Sequence, residues 1–75
     1  MIEILRLKTG EDIIGEVYRD VVFEGYEIHE PMSVDIEMRG NQSGLVMQHW
    51  LPVQLIDVNY TVIKKEDVLA TFVPN

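Results

Sequence analysis

The sequence predicts an all-β fold: five antiparallel strands, strongly bent and wrapped into a small barrel. Three observations carry this expectation. From Tyr26 to Met38 the even positions are apolar apart from Glu30, while the odd positions hold no large hydrophobe. Side chains alternate faces along a strand, so this reads as one long strand with one buried and one wet face. Pro31 inside that run and Gly15 inside an earlier one mark bends or bulges, because proline lacks an amide proton and glycine lets another backbone approach closely. Finally, no stretch of ten or more residues spaces its apolar positions at a helical period. Long bent strands in a short chain point to a sheet wrapped on itself.

In order, the first strand is Ile2–Lys8, with Leu5 and Leu7 on one face and Arg6 and Lys8 on the other. Thr9-Gly10 makes a tight turn. Glu11–Val22 is the second strand, interrupted by Gly15, and Glu24-Gly25 turns the chain into the long third strand. Arg39–Gly44 contains no hydrophobe and reads as a loop. Leu45–Leu51 is the fourth strand, stopped or kinked at Pro52 with a continuation to Ile56 left open. After a turn at Asp57–Asn59, Tyr60–Ile63 and Val68–Val73 are β-rich segments joined by the charged connection Lys64–Asp67.

The chain has 75 residues, read as one domain. A chain of this length buries only about 60% of its unfolded surface. No cysteine supplies a disulfide framework and no clustered ligand set supplies a metal staple. With 47% hydrophobic residues, the remaining way to stabilise such a fold is burial against copies of itself, so a homo-oligomer is expected. No apolar run reaches the length of a membrane span, and the charged start is unlike a signal peptide. A cytoplasmic protein without membrane contact is expected. Thirteen acids against six bases give a net charge of −7, which opposes non-specific binding to a phosphate backbone.

Two stretches resemble motifs of the Sm/LSm family, whose members are small five-stranded barrels that assemble into rings. Leu7-Lys-Thr-Gly-Glu-Asp-Ile-Ile-Gly-Glu-Val17 is similar to the first half of the Sm1 motif, and Val62-Ile-Lys-Lys-Glu-Asp-Val-Leu69 to the Sm2 motif. Tyr26–Pro31 and Gly44–Pro52 also resemble small Sm-like proteins of the phage and environmental type. The resemblance implies a ring of five to seven subunits that holds single-stranded RNA at its pore. It departs from the family in three places. The usual N-terminal helix is lacking, Glu24 falls where an Asn contacts the base, and Lys64-Lys65 replaces Arg-Gly. A carboxylate can accept from a base edge but never donate to it, and Lys lacks the planar fork with which Arg stacks.

On this resemblance Arg19, Phe23, Lys64 and Lys65 are the candidate RNA-binding residues, with Asp20 and Val22 or Phe23 in the family's loop positions. Repetition around a ring would let weak contacts add. The competing reading is that Lys64 and Lys65 are exposed turn residues neutralised by Glu66 and Asp67. In Sm rings the fourth strand of one subunit pairs with the fifth of the next, which implies an interface of Leu45, Met47, Trp50, Leu51, Val68, Ala70 and Phe72. Alternatively, Trp50 plugs one end of its own barrel. His29 and His49 sit at unrelated spacing and read as solvent-facing, and Glu27, Glu30, Asp35 and Glu37 as a solvated face rather than a reactive cluster. No cofactor, metal or catalytic residue is expected. The expected partners are the chain itself, single-stranded RNA, or, for an adaptor ring without nucleic acid, other proteins.

Overall fold

The alternating segments pair into a single antiparallel sheet. The computed structural model describes residues 1–75. It has six strands: β1 (Ile2–Leu7), β2 (Asp12–Asp20), β3 (Gly25–Arg39), β4 (Gln42–His49), β5 (Tyr60–Lys64) and β6 (Val68–Phe72). The expected count of five is therefore corrected to six. The Lys64–Asp67 connection contains one turn of 3-10 helix, Lys65–Asp67, which separates the last two β-rich segments into distinct strands.

The strand order is β4-β3-β2-β1-β6, and β5 pairs with β3. β2 runs along one edge of β3 from Gly25 to Ser33. The opposite edge of β3 is shared between β5, at Gly25–His29, and β4, at Met32–Arg39. The sheet is open, since no ladder joins β5 to β6. It is nevertheless strongly curled. Laid flat, four interstrand spacings would separate β5 from β6 by about 19 Å. The 3-10 connection from Lys64 to Val68 spans only about 8 Å. Two backbone hydrogen bonds pin this connection: Lys8 N donates to Asp67 O (2.9 Å) and Lys65 N to Glu24 O (3.1 Å).

Inside the curl, Leu5, Leu7, Ile13, Val17, Ile28 and Ile63 form the core, with Tyr26, Trp50 and Val68 packed against it. Gly15 is buried, and a Cβ added there would lie 2.7 Å from the backbone oxygen of His29, the close approach that its place inside a strand predicts. Pro31 is fully buried at the bend of β3.

At that bend the long strand departs from the expectation of one buried face. Between the pairs Glu16↔His29 and Ile14↔Met32, β2 advances two residues and β3 advances three. The extra residue is accommodated at Glu30–Pro31, where Glu30 has φ +50°. An extra residue reverses which face the following side chains occupy. Ile28 faces the core, but Met32, Val34, Ile36 and Met38 lie on the other face.

The predicted Arg39–Gly44 loop is also corrected. β3 and β4 continue their pairing to Arg39↔Gln42, leaving a two-residue turn with Gly40 at φ +61°. Glycine at the first central position suits a tight hairpin turn. Pairing satisfies the backbone there although the side chains are polar, which is why composition alone reads as a loop. At the other end, Trp50 and Leu51 fall beyond β4 rather than within it.

Candidate functional site

The β2–β3 turn and the β5–β6 connection come together at one mouth of the curled sheet. Asp20 ends β2, and its Oδ1 accepts hydrogen bonds from the amides of Val22 (3.0 Å) and Phe23 (2.9 Å). This local side-chain capping is what aspartate contributes to turns. It leaves Val21 and Val22 almost fully in water and Phe23 about half exposed. Gly25 then re-enters the sheet opposite Lys64. A Cβ at Gly25 would sit 2.6 Å from the Ile63 oxygen and 2.8 Å from Phe23 Cδ1, so only glycine lets the turn seat against β5 here.

The two segments enclose a cleft of about 410 Å³ lined by Arg19, Asp20, Val21, Glu24, Gly25, Tyr26 and Lys65. Arg19 and Lys65 thus share one cleft. Phe23 packs beside it against Gly25, and Lys64 faces Gly25 across the ladder. The four residues expected to act together are neighbours in space.

Their charges are not equivalent. Arg19 makes a two-pronged pair with Glu3, Nη1 to Oε2 and Nη2 to Oε1, each at 2.8 Å. Glu3 is only 3% exposed. The hydrogen bonds from Arg19 hold its carboxyl below the usual 4.5 against the opposing effect of burial, helped by the charge of the guanidinium. The same hydrogen bonds raise Arg19, and its guanidinium carbon lies 5.4 Å from the Tyr26 ring centroid. Arg19 is therefore committed to a buried partner, and its charge is largely cancelled. Lys64 and Lys65 are exposed and in no ion pair. With Arg19 neutralised by Glu3, Lys65 alone faces Asp20 and Glu24 in the cleft lining, so its field is acidic rather than basic. Chemically, the mouth offers an aromatic and apolar surface for stacking, two free ammonium groups and carboxylate acceptors.

The expected interface residues scatter more widely. Leu45 and Met47 lie exposed on β4, and Phe72 is exposed on β6 beneath the Arg6 guanidinium at 5.1 Å. Val68 and Trp50 pack on the chain's own core, whereas Leu51 and Ala70 are half-buried. The Trp50 Nε1 donates to Glu11 Oε2 (3.1 Å) and its backbone amide to Pro31 O (3.1 Å). These contacts fit the reading in which the indole plugs the curled sheet from within.

Sequence reasoning missed the Glu3–Arg19 pair and an aromatic cluster around His29. That imidazole stacks on Tyr60 (4.9 Å, 19°), meets the edge of Tyr18 (5.4 Å, 87°) and lies 3.1 Å from Glu27 Oε1. No local spacing links residues 18, 29 and 60; only the strand register does. No three His, Cys, Asp or Glu side chains converge as a metal site, and no helix is long and apolar enough to cross a membrane. The chain matches no protein-family model and no curated protein sequence.

Proposed function

We propose that this chain is an Sm-like subunit that associates with copies of itself and holds single-stranded RNA at the mouth between the β2–β3 turn and the β5–β6 connection. The observation that carries the reading is that Phe23 and Lys64 both neighbour Gly25, beside the cleft that Lys65 lines, with the two distant segments tied by the Lys65–Glu24 backbone bond. The strand order supports the barrel component, because β5 and β6, at opposite ends of the path β5-β3-β2-β1-β6, are joined by a single 3-10 turn. The outer edges of β4 and β6, each paired on one side only, support the ring component, since free edges of this kind are templates for another chain. In this reading Phe23 stacks on a base, Lys64 and Lys65 meet phosphates, and Arg19 is a positioning residue that braces the turn through Glu3.

The test is fluorescence anisotropy with oligo-uridine and oligo-adenine at increasing salt. Binding by the wild-type protein is expected to weaken with salt. Lys65→Ala is expected to reduce the slope of log K against log salt by about 0.7 for each phosphate that the lysine neutralises. Phe23→Ala is expected to weaken binding by about 1–3 kcal/mol per stacked base without altering that slope. Lysine variants that bind like the parent would remove the mouth as the site.

The absence of a net positive charge in the cleft favours a second reading, an adaptor ring whose partners are proteins. Failure of the wild-type protein to bind either oligonucleotide at low salt would decide for it.

A further inference from the structure

We infer that the outward apolar face of the β3–β4 hairpin is a docking surface for a second copy of this chain. The inference begins with the extra residue at Glu30–Pro31. Beyond it, Met32 pairs with Ile14 on the face opposite the buried Ile13, which pairs with Ser33. The apolar stripe that begins in the core therefore emerges on the outside of the sheet. The register with β4 then sets Val34 opposite Met47 and Ile36 opposite Leu45. Directly opposed residues share a face, so these side chains form one surface. Ile36 is 73% exposed and Leu45 66%. Asp35 and Glu37 occupy the reverse face with Val46, while Ile36, Met38, Leu45 and Met47 on the apolar side stand exposed.

The chain's excess of exposed surface is of interface size. The chain exposes 5662 Å² and has a mass of 8.7 kDa. A folded monomer of that mass exposes about 4,700 Å², so the excess is about 900 Å². A stable interface removes about 800 Å² from each partner. The radius of gyration, 13.3 Å, likewise exceeds the roughly 11 Å of a compact chain of this length.

A second copy is the occupant that the chain's own surface fits. The stripe continues without a break across the sheet through the paired row Met32–Ile14–Ile4–Phe72. Each copy thus carries both a hairpin arm and an apolar outer face to receive one. A net charge of −7 works against an anionic membrane as the alternative cover. The inference deepens the self-association proposed above and is independent of RNA binding.

The test combines native mass spectrometry with peroxide footprinting of the wild-type protein. Met1 and Met38 are equally exposed in the single chain, at 66%, so Met1 is an internal reference. Met38 is expected to oxidise several-fold more slowly than Met1 in the assembled protein. Ile36→Glu and Leu45→Glu are expected to weaken association at least tenfold, whereas Asp35→Lys on the reverse face leaves it unchanged. An oligomer in which Met38 oxidises as fast as Met1, or which survives both glutamates, overturns the arm as interface but leaves self-association standing. A wild-type monomer at every concentration overturns both. The footprint is read on the wild-type protein, so it decides even if a variant fails to fold.

Discussion

Glu3 illustrates how one residue can link stability to the candidate site. A carboxylate that is almost completely buried needs a partner, and Arg19 supplies two hydrogen bonds from the residue adjoining the RNA-candidate turn. The two halves of this pair should respond unequally to removal. Arg19→Ala leaves an uncompensated buried charge and is expected to cost about 2 kcal/mol, below the usual range for buried pairs because the arginine itself is half in water. Glu3→Gln leaves a solvated guanidinium and is expected to cost about 1 kcal/mol. Chemical denaturation of the two variants measures the difference. The pair also has a pH signature. Glu3 titrates lower folded than unfolded, so its contribution is complete above the ordinary value of 4.5 and is lost as pH falls through the depressed folded value. Thermal scans between pH 7 and pH 3 should show the wild-type advantage over Glu3→Gln shrinking below about pH 4.5. An advantage that grew on acidification would contradict the assignment.

At the scale of the element, β3 shows both what alternation reveals and where it stops. The even-numbered stripe from Tyr26 to Met38 was legible because period-two patterning survives in the sequence, and Pro31 marked the bend. The reversal of faces was not legible. A bulge changes the relation between position and face without changing the pattern itself, and its location is fixed by the register against β2. The hairpin tip was unreadable for a related reason: Arg39, Gln42 and Ser43 are polar yet paired, with no buried face to betray them. Gly15 lies where β2 crosses this bend. Gly15→Ala would place its Cβ 2.7 Å from the His29 oxygen and 2.8 Å from Ile28 Cγ1. Overpacking against backbone is expected to destabilise by about 1–3 kcal/mol, measured as a lower denaturant midpoint. Full stability in that variant would mean that the strands separate more readily than the close approach implies.

For the molecule as a whole, the contrast between a small core and a large apolar surface couples folding to assembly. Six core hydrophobes and Pro31 are buried, while apolar residues on the arm and β6 stand in water in a single chain. Composition made this imbalance legible before any strand was placed, because 47% hydrophobic residues cannot be hidden in 75. Which surface is left over was not legible, since it depends on the bulge in β3 and on Trp50 turning inward to cap the core. If a second copy covers the arm, part of the folding free energy is association free energy and must follow mass action. For a dimer, hundredfold dilution removes about 2.7 kcal/mol from the assembled state, or roughly 1.4 kcal/mol per protomer. In a domain of this size that corresponds to a fall in Tm of about 5–10 °C. Ile36→Glu is expected to unfold at a lower temperature with little dependence on concentration, because its folded state no longer gains from a partner. A wild-type Tm that is constant over the same dilution would place the whole stability within the single chain.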